Sequence, residues 1–204
     1  MTELIPAARA GDAARVAELL AAGTAPDERS PEGRTAFDLA VDAGHAEVVR
    51  LLLEAGADPM ADAGPYHELD AMALAAMRGH TAVVAVLLDA GGDPNRKCGR
   101  PEYPALLLAA TSSPGHPETV DFLLDRGADL EAAFKGHTTL AWAAGFAQLD
   151  MVQHLLARGA AVSPPLVRFV RQTSAAASDG RRHEAVLEAL RLAAWRQVRA
   201  TPPE

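Results

Sequence analysis

The chain has 204 residues, is 49% hydrophobic and carries a formal net charge of -8. That is ample apolar material for a core, and too acidic a balance for a nucleic-acid binder, because the phosphate backbone rewards clustered cations. A single cysteine, Cys98, excludes an intramolecular disulfide and a cysteine-based zinc cluster, and with no signal-like start and no run of about 18 apolar residues the expectation is a cytoplasmic protein without a membrane partner.

In chain order, the first stretch is TELIPAARAGDAARVAELLAAG, residues 2–23. Its second half contains the pattern V-x-x-L-L-x-x-G, from Val16 to Gly23, which recurs from Val49 to Gly56, Val84 to Gly91, Val120 to Gly127 and Val152 to Gly159. The intervals are 33, 35, 36 and 32 residues. Offsets of three and four place each valine and both leucines on one helix face, and the glycine supplies the left-handed residue that ends a helix. Val49, Leu52, Leu53 and their counterparts through Leu156 are therefore expected to form one continuous core.

Ahead of these helices lie AFDLAVDAG at 36–44, AMALAAMRG at 71–79, ALLLAATSSPG at 105–115 and TLAWAAGFA at 139–147, each read as a further short helix. Ala40, Ala75, Ala109 and Ala143 recur in them, small enough for neighbouring helices to approach closely. Trp142 stands where the others have Leu39, Leu74 and Leu108, and is assigned to the core. After Gly159 the pattern dissolves. Pro164 and Pro165 suit a first helical turn, Ser-Asp-Gly at 178–180 is a break, and Val186, Leu187, Leu190, Ala194 and Val198 space as one helical face, with Trp195 expected to pack inward. Residues 1–163 carry 12 Lys and Arg against 23 Asp and Glu, net -11, whereas residues 164–204 carry 7 against 4, net +3.

This fivefold register resembles the ankyrin-repeat family, whose period is about 33 residues with a turn and two helices per repeat. Thr35-Ala36-Phe37, Thr138-Thr139-Leu140, the Gly-His pairs at 44/45, 79/80 and 115/116, and the exits at 56–59 and 91–94 carry the likeness. It departs where Asp38, Ala73, Leu107 and Ala141 replace the signature histidine, where repeat four gains two residues around Ser112 and Ser113, and where Ala147 replaces a glycine. The resemblance implies an all-α solenoid of stacked helical hairpins with projecting turns. Its repeats fall at approximately 2–33, 34–68, 69–102, 103–136 and 137–163, making a domain of residues 1–163. Residues 164–200 are a helical cap, a degenerate sixth repeat, and 201–204 a frayed tail.

His45, His80 and His116 occupy equivalent positions but are read as bonding loop backbone groups, because stacked helices about 8 to 10 Å apart hold parallel rings too far from a shared ion. No cofactor or metal is expected. Asp89, Asp93 and Asn95 read as turn chemistry and not as an ion loop. No nucleophile elbow, HExxH or phosphate loop is present, so the chain is not read as an enzyme. The loops vary most, and in a stack of this kind they line one edge beside the inner helices. That edge places Met60, Tyr66, Arg96, Arg100, Tyr103 and Phe134 where packing does not demand them, and Asp42, Met77, Arg78 and Phe146 at the ends of the first helices. Tyr and Arg are typical interface anchors. The equal alternative leaves them as solvated loop residues, with Phe134 and Phe146 tucked into the stack. The expected function is non-enzymatic binding of another protein, basic or mixed in charge, by a monomer acting as adaptor, regulator or inhibitor through its concave loop and inner-helix face. The competing readings are a ligand or enzymatic site in the groove using Cys98 or His67, and a nucleic-acid or membrane contact through Arg181, Arg182, Arg191, Arg196 and Arg199.

Overall fold

The computed structural model describes residues 3–59, 62–63, 69–98, 102–176 and 180–200. Helices alternate between two layers. The inner layer holds α1 (Leu4–Ala10), α3 (Ala36–Ala43), α5 (Ala71–Arg78), α7 (Ala105–Thr111), α9 (Thr139–Gly145) and α11 (Pro164–Ala176). The outer layer holds α2 (Ala13–Ala21), α4 (Ala46–Glu54), α6 (Thr81–Asp89), α8 (Pro117–Asp125), α10 (Leu149–Ala157) and α12 (Gly180–Ala200). Each inner helix packs on the next from α1 to α11, the outer ones pack from α2 to α8, and α12 packs on α10. Between α8 and α10 the contact is ionic as well: Arg158 reaches Asp121 at 3.0 Å and Asp125 at 2.5 Å, and the His154 ring lies 2.9 Å from Asp121.

Short antiparallel hairpins join the units. β1 (Asp62–Ala63) pairs with β2 (Leu69–Asp70), β3 (Lys97–Cys98) with β4 (Tyr103–Pro104), and β5 (Ala133–Phe134) with β6 (His137–Thr138), while the first junction keeps a single bridge between Arg29 and Thr35. The residue that ends each hairpin also starts the next inner helix. Thr35 accepts from the Asp38 amide at 3.1 Å, Asp70 from Ala73 at 2.9 Å and Thr138 from Ala141 at 3.4 Å. These caps satisfy amides that the first helical turn leaves without partners.

Packing follows the repeat with one shift of phase. Val49, Leu52, Val84, Leu87, Val120, Leu123, Val152 and Leu155 are buried in one cluster running from Leu4 to Leu190. The second leucines, Leu53, Leu88, Leu124 and Leu156, are only half-buried against it. In their place the residue before each valine is buried: Val48, Val83, Thr119 and Met151. At about 100° per residue the buried arc is centred between the valine and its predecessor, which moves the second leucine to the margin. Thr119 is fully buried because its hydroxyl meets that of Thr81 at 2.8 Å.

The glycine-histidine pairs do a defined job. Nε2 of His45, His80 and His116 lies 3.1, 3.0 and 3.1 Å from the carbonyls of Arg9, Asp42 and Met77 in the preceding unit. Gly44 adopts φ 80°, and a Cβ there would stand 2.8 Å from Nδ1 of His80, so both the backbone conformation and the close approach require glycine. In the fifth unit Ala147 holds the left-handed conformation at φ 56°, and Gln148 bonds the carbonyls of Thr111 and Ser112 at 3.4 and 3.0 Å. His183 of α12, 5% exposed, reaches the Gly145 carbonyl at 3.1 Å in the same way.

Two expectations for α12 need correction. Val186 and Leu190 are fully buried, but Val198 is 75% and Trp195 58% exposed. The reason is the site of Gln197: it accepts from the Val162 amide at 3.0 Å and donates to the Ala160 carbonyl at 2.9 Å. The last turns of α12 are thereby fixed over the polar exit of α10, and the side chains on the far side face solvent.

Candidate protein-binding face

The hairpins and the ends of the inner helices form one edge of the array, and its two halves differ in chemistry. In the first half Arg34, just before the Thr35 cap, donates to Asp38 at 2.5 and 2.9 Å and to Asp42 at 3.0 Å. Positions 34, 38 and 42 are spaced by four, so the residues lie along one side of α3 and the helical turn before it. The Asp38 carboxylate raises the Arg34 pKa above the ordinary guanidinium value, against the opposing effect of burial, and Asp42 adds to the rise. Asp38 itself is 2% exposed. From the next unit Arg78 approaches the other Asp42 oxygen at 2.9 Å, out of line for a hydrogen bond. This half is a mixed-charge strip, mostly self-paired, with Arg78 at its exposed end.

The second half is aromatic. Tyr103 of β4 packs on Phe134 of β5 with centroids 4.6 Å apart, and Phe134 lies 6.0 Å from Trp142 of α9. Trp142 in turn meets Phe146 at 5.8 Å, His137 of β6 at 5.8 Å and Phe169 of α11 at 5.5 Å, while His137 stacks on Phe169 at 3.9 Å. Six rings from five elements thus touch one another, in a chain only 4% aromatic. The expected burial of Trp142 is corrected: it is half-buried, outside the core. An indole is too large for the slot that Leu39 and Leu74 fill, and its polar end needs a partner, which it finds at the Phe134 carbonyl 3.1 Å away. Gly145 makes room for this packing, since a Cβ there would stand 2.8 Å from the Phe169 ring. Lys135 sits over Phe134 at 5.2 Å, a cation on the ridge's flank. Phe146, 58% exposed, carries the apolar surface onward into an open groove bordered by Thr111, Pro114, Leu149, Met151 and Arg181.

Of the residues picked from sequence, Asp42 and Arg78 meet in the charged strip, and Tyr103, Phe134 and Phe146 meet through Trp142. Met77 is half-buried against the core and Arg96 lies 3.9 Å from Asp70, apart from both groups. Met60, Tyr66 and Arg100 lie outside the described residues. Sequence reading missed Arg34, Asp38, His137 and Phe169 as members, and misplaced Trp142. Two signals were available: the spacing of 34, 38 and 42, and a tryptophan four residues before the phenylalanine that ends the same helix. Asn95 proves to be a stitch between units. Its own amide bonds Asp93 at 2.9 Å, its side chain donates to the Gly127 carbonyl at 2.9 Å, and it accepts from the Asp129 amide at 2.6 Å.

The described residues contain no group of three His, Cys, Asp or Glu arranged to hold a metal ion, and no helix among them is long and apolar enough to cross a membrane. The family model "Ankyrin repeats (3 copies)" matches residues 4–98 and again residues 72–164. The chain belongs to the ankyrin-repeat family. Ankyrin repeats generally mediate protein–protein interaction and are typically without catalytic activity. Comparison with curated proteins gives no match.

Proposed function

We propose that this ankyrin-repeat protein works by docking a partner protein on its hairpin and inner-helix face, acting on that partner as adaptor, regulator or inhibitor without chemistry of its own. The aromatic run from Tyr103 through Phe134 and Trp142 to Phe146 carries the reading. Large rings with one polar tip are the commonest energetic anchors of interfaces. Here they are already packed on one another, so docking immobilises few free side chains and loses little conformational entropy. The paired charges beside them, Asp42 with Arg78 and Lys135 over Phe134, suit a partner of mixed charge that offers an apolar anchor. Action is steric: the partner surface that covers the ridge is denied to its other ligands.

The test begins with affinity capture from the native cell and identification of the partner by mass spectrometry. Phe146→Ala, Tyr103→Ala and Arg78→Ala are then titrated against it beside Arg50→Ala, Glu54→Ala and Gln153→Ala on the outer helices. At least one of the first set weakens the complex by about 2 kcal/mol or more, and the second set leaves it within about 0.5 kcal/mol. The reverse order shows that the protein binds through its outer helices.

A further inference from the structure

The cap of α5 carries a charge that its counterparts do without. Thr35 and Thr138 start α3 and α9 with a hydroxyl, and α7 follows Pro104 with no side-chain cap, whereas α5 starts on Asp70. Aspartate and threonine are close in strength as caps, so capping alone does not call for the carboxylate. Its side chain is only 9% exposed, in a place where a charge is costly unless it is paired. One oxygen accepts from the Ala73 amide at 2.9 Å. The other lies 3.9 Å from Nε of Arg96, beyond hydrogen-bond reach.

Asp70 borders a cavity of about 210 Å³ at the foot of the hairpin formed by β1 and β2. Pro59, Met72 and Leu87 form its apolar wall, and Asp93 and Arg96 join Asp70 on the polar side. The space is left by Gly92. At the matching positions of other units Ala57, Ala128 and Ala160 are buried, and a Cβ on Gly92 would stand 3.3 Å from the terminal methyl of Met72. Asp93, in the exit turn, gives one oxygen to the Asn95 amide at 2.9 Å. Two carboxylates against one guanidinium leave the lining with one negative charge in excess.

We infer that this cavity receives a lysine side chain of the docked partner, with its ammonium at the Asp70 carboxylate and its alkyl stem along Met72 and Leu87. The inference rests on the docking proposed above, at the hairpin edge beside which the cavity lies. Size points to one side chain, since pockets for drug-sized ligands run to about 300–1,000 Å³. Charge selects a cation, and the acidic body, net -11 over residues 1–163, draws one in. Chemistry selects lysine over arginine. Asp70 and Asp93 each commit one oxygen to a backbone amide, so neither offers the pair of oxygens that a guanidinium fork grips, whereas an ammonium is a point charge that needs one. The apolar wall suits the lysine stem, which packs on apolar surface while its head seeks a polar group.

The probe is Nα-acetyl-lysine methylamide, titrated at fixed ionic strength into the isotope-labelled full chain and followed by amide chemical shifts. Saturable shifts are expected at Ala73, Gly91 and Gly92, with the norleucine analogue, which has the stem without the charge, and the arginine analogue each binding at least tenfold more weakly. Asp70→Thr supplies the cap that α3 and α9 use, and Asp70→Asn keeps both cap and shape; each retains the melting curve and loses the lysine shifts. Absence of saturable shifts at these amides, equal binding of either analogue, or binding indifferent to both substitutions overturns the inference. The captured partner then identifies the source of the lysine: Asp70→Thr weakens that complex tenfold or more. A complex indifferent to Asp70→Thr, in a chain that binds the free lysine analogue, assigns the cavity to small amines and overturns the partner side chain as its occupant. Phe146→Ala leaves binding of the analogue unaltered, so a partner that ignores Phe146→Ala and responds to Asp70→Thr refutes the aromatic ridge as the docking site and leaves the lysine cavity standing.

Discussion

The indole Nε1 of Trp142 donates to the backbone carbonyl of Phe134 at 3.1 Å, so the hairpin formed by β5 and β6 is latched to α9 by the same side chain that stands at the centre of the aromatic ridge. Binding surface and local order are coupled through one residue. Trp142→Phe keeps a ring in the ridge and removes the latch. The expected loss of stability is about 1 kcal/mol, the net worth of an ordinary intramolecular hydrogen bond. Urea denaturation reads the loss, and hydrogen exchange of the amides at 133–138 should quicken. Unchanged exchange there contradicts the coupling.

Arg34 and Asp38 form the most deeply buried ion pair among the described residues, with side chains 15% and 3% exposed. Removing one member of such a pair strands the other in a poorly solvated place and costs about 3–5 kcal/mol, whereas removing both costs much less. Equivalent positions carry Ala73, Leu107 and Ala141, so an apolar residue fits the slot of Asp38. Arg34→Ala should therefore destabilise the chain more than Arg34→Ala/Asp38→Ala does. Additive losses in the thermodynamic cycle would show that the pair is not coupled.

His80 bridges two units by its bond to the Asp42 carbonyl. His80→Ala leaves that carbonyl without its partner and opens space above Gly44, for an expected loss of about 1–3 kcal/mol. His80→Gln restores a donor of similar reach, as Gln148 does in the fifth unit, and should recover at least half the loss in a thermal melt. A glutamine variant no more stable than the alanine one contradicts this account of the bridge.

Much of the fold is legible because a repeat states each requirement several times. The valine and first leucine, the terminal glycine and the histidine after it recur in register, and each has one physical task. What escaped is what occurs once. The phase of the stripe was misjudged because Val48, Val83, Thr119 and Met151 differ in type, and a buried threonine is visible only when its partner, Thr81, is known. Trp142 was hidden by its alignment with leucines, since sequence position does not report that a slot is too small. Trp195 and Val198 continue a stripe that reads as buried; only the polar anchor at Gln197 shows why the burial stops. Contacts among Tyr103, His137, Trp142 and Phe169 join residues from four elements, and no local period encodes them.

Leu166, Val170, Val186 and Leu190 share the core of the preceding units, and α11 and α12 cover α9 and α10. Ending the chain after residue 163 bares those two helices and removes the His183 and Gln197 bonds. The expected result is a melting temperature lower by at least about 4 °C, as the loss of about 2 kcal/mol gives in a domain of this size, with aggregation visible in light scattering. A shortened chain with the parent's melting curve would show residues 164–200 to be a separate arm.

Hydrogen exchange of the captured complex tests the central claim most directly, because it maps the contact without mutating it. Binding at the aromatic ridge predicts slowed exchange on complex formation at 103–108, 133–147 and 164–170, with α4, α8 and α10 unchanged. Protection confined to those outer helices, with the ridge exchanging as in the free protein, would contradict it.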